Sequence, residues 1–206
     1  MSIDILNEIE EECEINLDWF YHFSEYDLNI YKNILEEGIK CSHLLNKTHC
    51  GKNNGPFYIS LTTLTIPDND LFLSYVSNCY LYHSFILDGI NPIKCENVIT
   101  HKEYKQYRNT EDKRRFSDYL FGEYQYYYFI KSSFIKGIQY DLYSCLANEQ
   151  EGTYMYNLAI NEVLRLIDLL EGLNIDIPIY DYSRRDKTLT HKINKEKLKY
   201  YSQELL

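Results

Sequence analysis

The run EYQYYYFI, residues 123–130, constrains this 206-residue chain more than any other stretch. Six of its eight residues are aromatic or β-branched, types that suit a pleated, half-buried surface. Gly122 precedes it and a Lys131–Ser133 turn follows, so it reads as the strongest strand in the protein. A strand of that kind needs sheet partners, and the sequence offers several. These are LDWFYHF (17–23), FYISLTTLTI (57–66, ended by Pro67), SFILD (84–88) and FIKGIQYDLY (134–143). IDIPIYDYS (175–183) reads as an extended edge, because Pro178 has no N–H for a ladder. With 22 tyrosines and only 8 glycines, the chain favours aromatic-walled surfaces over a lean aliphatic core.

Helical periodicity appears between these strands. Ile3, Leu6 and Ile9 suggest a short helix over 3–12, and SEYD (24–27) suggests a capping box starting at Ser24. That second helix is expected to run to about Glu37 and stop at Gly38. PDND can cap a helix over 71–82, and DGINP (88–92) carries turn chemistry. Residues 96–120 read as loops with a short helix. Leu158, Val163, Leu166, Ile167 and Leu170 mark a helix over 154–171 with Gly172 as its stop. The tail beyond about 194 is charged and reads as helical. The expectation is one α+β domain over 1–206, with a core at about 17–145 and a helical and extended C-terminal part over 150–206.

Charge and motifs narrow the function classes. A formal net charge of −10 repels nucleic-acid phosphate at long range. The basic stretches KRR (113–115) and SRRDKTLTHKINKEKLK (183–199) read as solvated faces. Neither GxGxxG nor GxxxxGK[ST] occurs, which removes the common glycine-rich phosphate cradles. The acidic start has no basic segment followed by an apolar run, and no window approaches eighteen apolar residues. A cytoplasmic protein without membrane partners is therefore expected. Six scattered cysteines read as reduced thiols. CSHLLNKTHC (41–50) holds zinc-ligand types, Cys41, His43, His49 and Cys50, but their spacing is not that of a tetrahedral site. No metal is expected, and the segment reads as a loop.

Four segments, in order, carry a resemblance. They are HFS (22–24), NIYKNILEEGI (29–39), GPFYIS (55–60) and GEYQYYYF (122–129). Together they resemble the ADP-ribosyltransferase superfamily, in its diphtheria-toxin-like branch whose motif reads His, Tyr, Glu on three strands. Poly-ADP-ribose polymerase-type domains and DarT-type toxins are the similar members. The resemblance spans roughly residues 19–140. It implies a split β-sheet with flanking helices and NAD⁺ as co-substrate; the helical C-terminal segment read from periodicity lies outside the shared region. It assigns His22, Tyr58 and Glu123 to the three motif positions.

The chemistry accounts for such a trio. Breaking the nicotinamide–ribose bond passes through an oxocarbenium-like state, as in glycoside hydrolysis. Glu123 is the expected catalytic carboxylate, holding the 2′-hydroxyl and stabilising the developing charge. His22 positions a ribose and Tyr58 stacks on nicotinamide. Phe23 meets the carboxamide through its backbone, with Ser24 beside it, and Tyr75 is a second stacking candidate. Polymerase-type members place Gly where Phe23 stands, so Phe23 must turn its side chain away. The expected function is transfer of ADP-ribose to an acceptor, protein favoured over nucleic acid. NAD⁺ glycohydrolysis and a catalytically silent nucleotide- or partner-binding module stay open as alternatives. Richness in Ile, Asn, Lys and Tyr fits an A/T-rich bacterial or phage genome, and a toxin or effector role is the matching analogy. YDYSRRDKTLTHK (180–192) reads as a polar turn, or as an acceptor-facing edge through Arg184 and Arg185.

Overall fold

Strands with one apolar face must pair with each other and be covered, and both requirements shape the architecture. The computed structural model describes residues 10–14, 18–24, 27–47, 56–62, 83–94, 123–140, 142, 154–182, 189–196 and 198–199. In chain order these form β1 (Glu10–Glu14), β2 (Phe20–Ser24), α1 (Leu28–Glu37), β3 (Ile39–Lys40), β4 (Tyr58–Thr62), β5 (His83–Leu87) and β6 (Ile93–Lys94). There follow β7 (Glu123–Tyr127), β8 (Phe129–Ile130), β9 (Ile135–Tyr140), α2 (Tyr154–Gly172), β10 (Ile179–Tyr182) and β11 (Leu189–Ile193). Nine strands make one sheet, ordered β1-β11-β10-β9-β5-β2-β4-β7-β6, and β3 pairs with β8 apart from it. Only the β9–β10 ladder is parallel among the described residues. The protein is α+β, as its sequence implies.

Both helices contribute to the core on one side of this sheet. Ile59, Leu61, Phe85, Leu87, Ile138 and Tyr140 meet Tyr31 and Leu35 of α1 and Val163, Leu166 and Leu170 of α2. The Tyr31 and Phe85 rings lie 4.8 Å apart. Each fully buried side chain of this kind stabilises the fold by roughly 1.5–3 kcal/mol relative to exposure.

Local chemistry sets the element ends, and several differ from the sequence expectation. α1 is capped by Asp27 rather than Ser24: its carboxylate accepts from the N–H groups of Asn29 and Ile30, at 2.7 and 3.2 Å. Ser24 instead stays in β2, opposite His83. α1 ends at Gly38 as expected, with φ +94°. A side chain there is excluded twice over, since a Cβ would lie 2.3 Å from the Ile130 carbonyl and 2.8 Å from the Phe129 ring.

The expected helix over 3–12 is corrected where it is described. Glu10–Glu14 is a strand, because all five positions pair with β11 and tertiary pairing outweighs weak local periodicity. The aromatic run 123–130 is two strands, broken at Tyr128 with φ +65°. α2 includes Gly172; the chain leaves the helix at Asn174, φ +55°, with Ile175 N–H bonding the Leu170 carbonyl. β10 is interior rather than an edge, because Pro178 precedes the strand and its carbonyl accepts from Ile138 N–H. Residues 189–192, expected as part of a polar turn, belong to β11. The expected helix over 71–82 lies outside the described residues.

Candidate functional site

The three motif positions sit on three consecutive strands. β2, β4 and β7 are neighbours in the sheet although their residues are separated by long stretches of chain. Glu123 opens β7 opposite Thr62, and Thr62 in turn opposes Tyr21, the residue before His22. The backbone of Glu123 is described; its side chain is not. Tyr58 opens β4 opposite Tyr127, four residues along from the Glu123 position. At about 3.3 Å per residue that is about 13 Å of strand. Tyr58 and Glu123 thus stand at opposite ends of the β4–β7 ladder.

β2 and β4 part company at the site. Tyr21–Thr62 is the described pair between them, and toward Ser24 and Tyr58 no further pair follows. β2 continues there against β5, through His22–Phe85, Phe23–Ser84 and Ser24–His83. β4 continues against β7, through Leu61–Tyr124, Ser60–Gln125, Ile59–Tyr126 and Tyr58–Tyr127. The imidazole of His22 reaches across this divergence, and its Nδ1 donates to the Ser60 carbonyl at 3.0 Å. That bond fixes the tautomer: the proton is on Nδ1, and Nε2 of the neutral ring is an acceptor aimed away from Ser60. Burial lowers the His22 pKa from 6.5, opposed by the Ser60 carbonyl bond, so the neutral ring is favoured near neutral pH.

Register assigns the faces. Directly opposed residues share a face, so Tyr58, Tyr127, Ser60, Gln125, Thr62 and Tyr21 lie on the side away from the helices. This outer face is closed over β2 and β5, where Tyr21, Ile86 and Ser84 are buried, and over β9 at Gln139. It is open over the Tyr58–Ser60 part of β4 and the facing part of β7, where Ser60 is exposed, Tyr58 and Gln125 are half-buried, and Tyr127 is 57 % exposed; Thr62, opposite Glu123, is buried. Strand alternation puts His22 on the helix side and Phe23 on the outer side. His22 and Tyr58 therefore lie on opposite faces of the sheet, on either side of the β2–β4 seam. Phe23 thereby lies on the face that Tyr58 shares, so the register does not turn it away from that ring.

Beyond Tyr58 the rings form a chain. Tyr58 meets Tyr127 at 5.5 Å and Tyr127 meets Tyr128 at 4.5 Å, both edge-on. Phe57 lies 5.8 Å from Tyr128 and 4.7 Å from His43. Tyr128 holds a left-handed conformation that costs a non-glycine residue roughly 1–2 kcal/mol. Its N–H donates to the Phe57 carbonyl and its carbonyl accepts from Cys41 N–H, which tie the 41–47 and 56–57 turns to the end of β7. Sequence reasoning missed this ladder and the Ser60–Gln125 pair. The period-two spacing of Glu123, Gln125 and Tyr127 is the signal that carried the second of them.

Of the expected site residues, His22, Phe23, Ser24, Tyr58 and the Glu123 backbone fall in this region, and Tyr75 lies outside the described residues. Cys41 is buried and His43 is exposed in a ring contact, while His49 and Cys50 lie outside the described residues. Among the described residues no group of His, Cys, Asp or Glu is placed to hold a metal ion. No described helix is long and apolar enough to cross a membrane. Comparison with protein-family models, with curated proteins and with solved structures finds no match in any of the three.

Proposed function

We propose that this chain transfers ADP-ribose from NAD⁺ to an acceptor and releases nicotinamide. The observation that carries this reading is the adjacency of β2, β4 and β7 at a point where the sheet parts, with His22 bonded across the parting. A sequence resemblance of three short motifs makes no demand on strand order. Their meeting on neighbouring strands is the arrangement that one shared ligand requires.

In this reading NAD⁺ enters the parting. Tyr58, steadied edge-on by Tyr127, offers its ring to nicotinamide. His22 Nε2 accepts a hydrogen bond from a ribose hydroxyl, the role its fixed tautomer permits. Glu123 holds the 2′-hydroxyl of the nicotinamide ribose and stabilises the cationic sugar. The C1′–N bond breaks with its electron pair going to nicotinamide, which leaves neutral. A lone pair on the acceptor forms the new bond to C1′, and the acceptor's proton passes to solvent.

Titration calorimetry with NAD⁺, followed by a nicotinamide assay, tests the reading. Binding and release of nicotinamide are expected, with label from NAD⁺ appearing on a macromolecule when lysate is supplied. Free ADP-ribose alone selects hydrolysis, binding without turnover selects a silent module, and no binding removes the proposal.

A further inference from the structure

We infer that Gln125 contacts the nicotinamide-riboside half of NAD⁺ and helps select it; the inference rests on the NAD⁺ reading above. The geometry points to Gln125 because it occupies the middle of the constellation. Its strand partner is Ser60, the residue whose carbonyl holds His22. Gln125 is therefore level with that carbonyl, on the outer side of the sheet, while the imidazole stands on the helix side. Along the strands, the Tyr58–Tyr127 pair lies two residues to one side and the Thr62–Glu123 pair two residues to the other. Each step is about 7 Å, against about 13 Å between the Tyr58 and Glu123 positions. A ligand that touches both ends must cross the Ser60–Gln125 pair.

The surroundings suit that crossing. Gln125 is half-buried and Ser60 exposed on the part of the outer face that remains open. A primary amide presents two donors and an acceptor without adding charge. It can bond ribose hydroxyls or a carboxamide between Tyr58 and Glu123 without raising the pKa of a nearby carboxylate, as a second acid would. In the reading above, the groups at those two ends are nicotinamide and its ribose. Gln125 thus meets that half of the dinucleotide rather than the adenylate half.

The test compares Gln125→Leu with wild type by calorimetry, using NAD⁺ and AMP as separate ligands, with thermal unfolding as the fold control. NAD⁺ is expected to bind about five- to ten-fold more weakly, as for one lost hydrogen bond. AMP affinity is expected to stay at its wild-type value, and the variant to unfold in a single cooperative transition as its parent does. Wild-type NAD⁺ affinity in the variant overturns the assignment, and so does an equal loss for AMP, which marks a general disturbance. No NAD⁺ binding by the wild type overturns the parent reading, and this one with it; NAD⁺ binding that ignores Gln125 overturns this one alone.

Discussion

Replacing His22 by two amides separates the two jobs of its ring. An asparagine carries its amide nitrogen at the δ position, near Nδ1, whereas glutamine carries it at the ε position, near Nε2. His22→Asn can keep the bond to the Ser60 carbonyl, found at 3.0 Å in the wild type, and His22→Gln cannot. One such bond contributes about 1 kcal/mol, in a range of roughly 0.5–1.5. At pH 8, urea unfolding is expected to show His22→Gln weaker by about that amount and His22→Asn within about 0.5 kcal/mol of wild type. Acid adds a second signature. The folded-state pKa of His22 lies below its ordinary 6.5 because of burial, so below pH 6.5 the unfolded chain takes up the proton first. Stability from the neutral ring is complete above 6.5 and is lost as pH falls toward the folded value. The wild-type advantage over His22→Gln must therefore shrink between pH 7 and pH 5. An advantage that grows in that window, or equal stability of wild type and His22→Gln at pH 8, would refute the neutral Nδ1–H imidazole bridging β2 and β4.

Two further predictions concern the scaffold. Gly38→Ala forces a positive φ and a Cβ against the Ile130 carbonyl and Phe129 ring, and is expected to cost about 3 kcal/mol by urea unfolding. A loss under 1 kcal/mol would show that the α1–β8 approach is loose. Glu162 is half-buried; burial raises its pKa, while the Tyr140 hydroxyl at 3.0 Å pulls it down. Tyr140→Phe is therefore expected to raise it further in an NMR titration. A raised carboxyl favours the fold fully below about pH 4.5 and loses that contribution as pH rises through the folded value. Glu162→Gln should gain on wild type as pH is raised, and the opposite trend would count against this burial.

What could be read from the chain divides along physical lines. Elements whose signals are local were legible: α1 with its glycine stop, α2 with its apolar stripe, and the strands at 20–24, 58–62, 83–87 and 135–140. Elements decided by distant partners were not. Glu10–Glu14 becomes a strand only because β11 is there to pair with it. β10 is interior because Pro178 stands one residue ahead of the strand, a difference periodicity cannot register. The break at Tyr128 is set by hydrogen bonds to Phe57 and Cys41, far away in sequence. At the site, strand identity was legible for His22, Tyr58 and Glu123. The parting of β2 from β4, the tautomer of His22 and the central position of Gln125 all depend on register, which no single segment encodes.

Nicotinamide release from NAD⁺ by wild type and by Glu123→Gln tests the account most directly. The wild type is expected to release nicotinamide, and the variant to do so at least about 100-fold more slowly while binding NAD⁺ and unfolding like its parent. Equal release by both proteins, or none by the wild type, would contradict the placing of an NAD⁺-cleaving centre where β2, β4 and β7 meet.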